Sequence, residues 1–148
     1  MSATRESYRL EELSTSFVRA RCVEPRRVDR MKASLSAQGQ LTPLVAVRQA
    51  HHVEIVDGFK RYRAATEMGW PSLLVTVQQT EEPGQWVLML TLNRGPQSMS
   101  VLEEALVLRE MVTAGLTQVQ IGQLLLRHKS WVCRRLGLID RLHPELVQ

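Results

Sequence analysis

The chain has 148 residues, with 19 Lys and Arg against 15 Asp and Glu, a net charge of +4 and an isoelectric point near 9.6. That length can bury a core without staples, and Cys22 and Cys133 lie far apart with no second Cys or His at metal spacing, so neither a disulfide framework nor a zinc site is suggested. The polar start from Met1 to Arg9 and the lack of any long apolar run predict neither signal peptide nor membrane span, hence a cytoplasmic protein, and the basic balance favours a polyanionic partner without proving one.

In chain order, Tyr8 to Leu10 reads as a short strand and Pro25 to Gln38 as a helix. Pro25 suits a first turn, Val28, Met31 and Leu35 share one face, and Gly39 ends the helix. Leu44 to Arg48 and His52 to Asp57 follow as strands, Phe59 to Met68 as a helix stopped by Gly69, and Leu73 to Val77 as a further strand. After Thr80 the strand-like runs vanish. Pro83 to Leu92 reads as a helix, Asn93 to Ser98 as a loop, and Ser100 to Ala114 as a helix opened by a Ser100/Glu103 capping box and closed by Gly115. The expected class is α+β, with an α/β domain over residues 1–80 and an all-helical domain over 81–148.

Leu116 to Leu142 is the most informative stretch. Thr117 and Gln120 form a second capping box, opening a helix with Ile121, Leu124 and Leu125 inward and Gly122 small enough for close approach by another helix. A break at Leu126 to His128 precedes a second helix with Val132, Leu136 and Ile139 inward, which is the spacing of a helix-turn-helix. Leu126 stands where such turns favour Gly for its left-handed backbone, so a slightly reshaped turn is expected. On the second helix Lys129, Ser130, Trp131, Arg134 and Arg135 are expected to project together into a DNA major groove, joined by Thr117 and Gln118 at the mouth of the first. Arg134 and Arg135 are the expected base readers. The alternative is a solvated charged face with Trp131 packed on a neighbouring helix.

A second motif lies where the strand ending at Asp57 turns at Gly58 into a helix. Lys60, Arg61 and Arg63 place three cations near a helix N-terminus, against the helix dipole, and a bound anion such as phosphate would relieve the conflict. The alternative is that they pair with carboxylates such as Glu54 or Glu67, or extend into water.

Gly39-Gln40-Leu41-Thr42-Pro43-Leu44, Val56-Asp57-Gly58-Phe59-Lys60-Arg61-Tyr62-Arg63-Ala64-Ala65, Leu102-Glu103-Glu104-Ala105 and the helix-turn-helix resemble, in order and spacing, the ParB partition family. The resemblance runs from about Tyr8 to Leu142. It implies a ParB/sulfiredoxin-like α/β domain, a helical domain that recognises a centromere-like site on double-stranded DNA, self-association, a partner partition ATPase, and CTP with Mg²⁺ as cofactors of a sliding clamp. Gly39 and Pro43 match the family's first nucleotide motif, with Thr42 replacing its usual Gln. Gly58, Lys60, Arg61 and Arg63 match its phosphate-binding G-E-R-R-x-R motif, with Lys60 for Arg and Phe59 for Glu. The third motif, E-N-x-x-R, falls on Leu92, Asn93 and Pro96, so Asn93 survives, the Mg²⁺-holding Glu and the phosphate-meeting Arg are lost, and neighbouring Arg94 is a substitute cation.

Leucine gives Mg²⁺ no oxygen, so these departures imply binding without efficient hydrolysis, and no catalytic or metal-ligand residue is assigned. Sulfiredoxin chemistry needs a cysteine in the turn that holds Phe59 here. The expected function is sequence-specific DNA binding in plasmid or chromosome partition, or in related transcriptional regulation. A CTP-dependent switch and a ParB-like nuclease are the alternatives, the latter without paired carboxylates or a His cluster to support it. The chain stops at Gln148 just as His143-Pro144-Glu145-Leu146-Val147 begins a helical pattern, so a fragment lacking a dimerisation region is expected.

Overall fold

Short apolar runs rich in Val, Ile and Leu form the central strands of a five-stranded sheet. The computed structural model describes residues 3–17, 23–81, 83–93 and 99–142. Among these, β1 (Ala3–Arg9), β2 (Leu13–Ser14), β3 (Leu44–Arg48), β4 (Val53–Asp57) and β5 (Ser72–Gln79) lie in the order β1-β5-β3-β4-β2. β3 runs parallel to β5, with Leu44 beside Val75 and Val47 beside Gln78, and antiparallel to β4 across a register shift at Val45/Ala46. β2 adds to β4 in parallel, and β1 runs antiparallel to β5 over seven residue pairs.

The chain forms two compact units, Met1–Gln85 and Trp86–Gln148. In the first, α1 (Pro25–Gln38) and α2 (Phe59–Glu67) pack against each other and turn Val28, Leu35, Phe59, Ala64 and Ala65 inward. They share the core with Leu44, Val47, Ile55, Val56, Leu73, Val75 and Val77, and the larger of these side chains each contribute roughly 1.5–3 kcal/mol through burial. β4 is buried from Val53 to Val56, on both faces, which is why it reads as a continuous apolar run apart from Glu54. β1 is longer than the Tyr8–Leu10 strand expected. Its residues, Ala-Thr-Arg-Glu-Ser-Tyr-Arg, are almost all exposed, so no apolar alternation announces them, and the ladder with β5 makes the strand.

The second unit contains α3 (Gly84–Leu92, whose first two residues belong to the first unit), α4 (Val101–Thr113), α5 (Gln118–Leu125) and α6 (Lys129–Asp140). Both expected capping boxes are present: Ser100 and Glu103 exchange hydrogen bonds of 2.6 and 3.1 Å, and Thr117 and Gln120 bonds of 2.8 and 3.2 Å. α4 packs on α5 and α6, and α5 on α6, around Ala105, Leu108, Met111, Ile121, Leu125 and Val132. Leu124, expected inward, is 41 % exposed because the inner stripe of this short helix needs only Ile121, Gly122 and Leu125. Residues 143–148, where a further helical pattern was expected, lie outside the described residues.

Candidate functional site

In the first unit β4 delivers the chain to Gly58, whose φ of 100° and ψ of 23° turn the backbone directly into α2. An L side chain there would be strained, and its Cβ would lie 2.4 Å from Leu44 Cδ2. The first turn of α2 holds no acidic residue. A preceding strand, a left-handed glycine and a basic helix start together make a local field suited to an anion.

The three cations of this motif have different surroundings. Arg61 folds back onto the turn before β3: its Nη1 donates to the Thr42 carbonyl (2.6 Å), Thr42 Oγ1 (2.7 Å) and the Pro43 carbonyl (2.8 Å). Its Nη2 lies 3.6 Å from Asp57 Oδ2. Burial pushes this guanidinium below its ordinary pKa, and the Asp57 charge pulls it back up. Arg61 is therefore a staple holding the Thr42-Pro43 turn to α2, and an anion reaching it would have to displace several acceptors. Gln40 is the second staple, pairing both side-chain amide atoms with the Leu74 backbone at 2.8 and 2.7 Å, so the segment after Gly39 is fixed at two points.

Arg63 is exposed and meets Glu67 at 3.3 Å, the carboxylate pairing left open by the sequence. Lys32 on α1 approaches the other Glu67 oxygen at 2.5 Å and Asp29 at 3.8 Å. The Lys32 hydrogen bond holds the Glu67 carboxyl below its ordinary value, and the same bond raises Lys32. Lys60 is half-buried. Glu54, the other carboxylate considered, is buried in β4, where it accepts from the Phe17 N–H at 3.0 Å and lies 3.4 Å from His52 Nε2. Beside α2, Thr15, Val23, Phe59, Tyr62, Arg63, Thr66 and Glu67 line a mostly apolar cavity of about 340 Å³, within the range of small-molecule sites.

Of the third motif, Asn93 belongs to the second unit, where it is buried and donates to the Met89 carbonyl at 2.7 Å. Arg94 and Pro96 lie outside the described residues. Leu92 is exposed and brings no oxygen ligand to this motif, and no group of three or more potential metal ligands occurs among the described residues.

In the second unit α5, a turn and α6 form the helix-turn-helix. Leu126 takes the left-handed conformation at φ 55°, ψ 42°, and the Arg127 N–H donates to the Gly122 carbonyl at 2.8 Å. A Cβ on Gly122 would lie 2.6 Å from the Arg127 carbonyl oxygen and 3.5 Å from the Lys129 nitrogen that begins α6, so its smallness admits both the turn backbone and the start of the next helix. His128 caps α6. Its Nδ1 accepts from the Ser130 N–H at 3.1 Å, which places the neutral ring's proton on Nε2, and Ser130 Oγ lies 2.8 Å away.

The basic set on α6 divides. Lys129, Ser130 and Arg134 are exposed, whereas Trp131 and Arg135 are half-buried, and the Arg135 Nε donates to Glu104 Oε2 on α4 at 2.9 Å. Successive helix residues are turned by about 100°, so Arg135 faces α4 while Arg134 faces water. This corrects the expectation of one outward face and matches the inward packing considered for Trp131. At the start of α5, Thr117 spends its Oγ1 on the Gln120 N–H, and Gln118 is half-exposed. The sequence reading missed Arg127, whose guanidinium lies 5.1 Å from the Trp131 ring centroid; its only sequence signal is the four-residue spacing to that tryptophan.

Residues 3–94 match the ParB N-terminal domain. The chain is 24 % identical over 119 residues to a nucleoid occlusion protein of Halalkalibacterium halodurans, covering 80 % of this chain and 42 % of that one. It is 30 % identical over 115 residues to the chromosome-partitioning protein Spo0J of Thermus thermophilus, covering 78 % and 42 %. The chain thus spans about two fifths of the length of these curated relatives. The C-terminally truncated chromosome-partitioning protein ParB of Caulobacter crescentus shares the fold in two crystal structures. Its complex with CTP-gamma-S superposes with a TM-score of 0.56 at 23 % identity, covering 96 % of this chain and 81 % of that one. Its complex with the centromeric parS site gives 0.52 at 22 % identity, covering 95 % and 74 %.

Proposed function

The chain belongs to the ParB N-terminal domain family, and on that premise we propose that it is a sequence-specific DNA-binding protein of the ParB type, acting in plasmid or chromosome partition or in related transcriptional regulation. The observation that carries this reading is the helix-turn-helix itself: a capped α6 following a tight left-handed turn, with Lys129, Ser130 and Arg134 exposed together along one helix. In this arrangement Lys129 and Ser130, at the N-terminus of α6, bind phosphate, and Arg134 reads a base edge, most simply guanine O6 and N7. The Caulobacter crescentus protein of this fold was crystallised with its centromeric parS site, which supports the DNA-binding reading by analogy. The test is selection of duplexes from a random library, followed by competition of the selected site against mixed-sequence DNA. Arg134→Ala should lower the discrimination ratio by about 1–3 kcal/mol while leaving non-specific affinity close to that of the unaltered protein. Unchanged discrimination would remove Arg134 from the interface.

A second reading, favoured by the Gly58 turn and the cavity beside Arg63, is a nucleotide switch in the first unit. CTP is the proposed ligand, by analogy with the CTP-gamma-S complex. Arg63 and Lys60 meet phosphate, Gly58 lets backbone approach it, and Arg61 with Thr42, Pro43 and Gly39 shapes the adjoining turn. With leucine at position 92 the proposal is binding without efficient hydrolysis. Calorimetric titration with each of the four ribonucleoside triphosphates, with and without Mg²⁺, tests it. Selective CTP binding supports the switch, and no binding by folded protein leaves the first unit without this role. Self-association is part of the same proposal and is read by sedimentation with and without CTP.

A further inference from the structure

Two guanidiniums lie over one indole in the second unit. Arg127, in the turn, is 5.1 Å from the Trp131 ring centroid, and Arg135, one turn further along α6, is 5.3 Å away. Each gains from the negative face of the ring, but two like charges sharing one ring repel each other. The arrangement holds because one charge is compensated: Arg135 Nε donates to Glu104 Oε2 at 2.9 Å, with both side chains about three-quarters buried. Arg127 is exposed and has no carboxylate partner among the described residues, so it carries the uncompensated positive charge of the ladder. Leu90, Glu104, Leu125, Arg127 and Trp131 close around a cavity of about 40 Å³, too small for a ligand, so the ladder is packed in place.

We propose that Arg127 is the phosphate-contacting cation of the turn and that Glu104 is its positioning residue, acting through Arg135 and Trp131. The proposal rests on the DNA-binding reading above and changes who does what within it. Arg135, spent on Glu104 and Trp131, supports the interface from behind. Arg127 stands immediately before the N-terminus of α6, beside exposed Lys129, where a recognition helix meets the backbone of the duplex. A guanidinium already held on a ring loses less rotamer freedom when it meets phosphate, a saving worth roughly 2- to 10-fold in affinity. Without Glu104, the Arg135 charge is no longer offset, its repulsion of Arg127 across the shared ring rises, and Arg127 is held less firmly.

The test measures fluorescence anisotropy of a labelled mixed-sequence duplex titrated with the 148-residue chain between about 50 and 200 mM salt, since phosphate contacts are independent of sequence. Arg127→Ala should flatten the log–log salt slope by about 0.9, the loss of one phosphate contact. Glu104→Gln should weaken binding roughly 2- to 10-fold, with helical circular dichroism retained, and should have no further effect in the Arg127→Ala background. A purely structural role for Glu104 predicts instead an equal loss in both backgrounds, and that result, or an unchanged slope for Arg127→Ala, overturns the proposal while DNA binding stands. If Glu104→Gln loses its helical signal, Trp131→Phe, which keeps an aromatic ring but weakens the cation contact, takes its place in the same cycle with the same two outcomes. Failure of the unaltered chain to bind duplex at the lowest salt would overturn the DNA-binding reading itself, before any variant is compared.

Discussion

Replacing Leu126 by glycine is expected to stabilise the helical unit, because the sequence places a γ-branched side chain where the turn demands a left-handed backbone. At φ 55°, ψ 42° the residue sits close to the centre of that region, so the cost is the intrinsic one for an L-residue, about 1–2 kcal/mol. The side chain is 91 % exposed and recovers almost nothing through burial. Glycine removes the steric cost but gives the unfolded chain more freedom, an opposing effect of roughly 0.5–1 kcal/mol. The net gain lies between about 0 and 1.5 kcal/mol, and its central value, about 0.75 kcal/mol, raises Tm by roughly 3–6 °C for a cooperative unit of this size. Thermal melts followed by circular dichroism at 222 nm measure it, with Leu126→Asn as a second variant that tolerates the left-handed region without glycine's flexibility. A Tm at or below that of the unaltered protein for both variants would refute the reasoning, since it would mean that the leucine gains more from a contact than the backbone loses by strain.

The same turn predicts the opposite sign at Gly122. Alanine gains about 1 kcal/mol of helix propensity, but its Cβ would meet the Arg127 carbonyl at 2.6 Å, and backbone cannot step aside cheaply; a net loss of about 1–2 kcal/mol in urea unfolding is expected, and a gain would deny the close approach. His128→Ala removes the acceptor for the Ser130 N–H and should cost about 1 kcal/mol, with His128→Asn recovering most of it by the same measurement. Glu67 supplies a pH dependence. Its carboxyl is held low chiefly by Lys32 and then by Arg63, so its stabilising contribution is present above the ordinary carboxylate pKa of about 4.3 and is lost as pH falls through the lower folded-state value. Urea midpoints followed downward from about pH 5 should fall less steeply for Glu67→Gln than for the unaltered chain, and identical profiles would remove this carboxylate from the acid response.

What the sequence determined by itself was whatever neighbours along the chain decide. Pro25 and Gly39 bound α1 because a proline fits a first turn and a glycine accepts the reversal at the end. Ser100 with Glu103 and Thr117 with Gln120 announce two helix starts through hydrogen bonds spanning three residues, and the apolar runs of β3 and β4 announce buried strands. The order Gly58, Lys60, Arg61, Arg63 places cations at a helix start whatever surrounds it. Tertiary structure decided everything that depends on a distant partner. β1 exists because β5 offers it a ladder, and its own polar residues carry no period that could reveal it. Arg61 and Arg63 are equivalent as letters, yet one is consumed by Thr42, Pro43 and Asp57 and the other shares Glu67 with Lys32, because α2 faces a turn on one side and α1 on the other. Arg134 and Arg135 are adjacent and identical, and a rotation of about 100° sends one to solvent and the other to a carboxylate 31 residues away on α4. Periodicity fixes which residues share a face, but the identity of what that face meets is settled only when the helices pack.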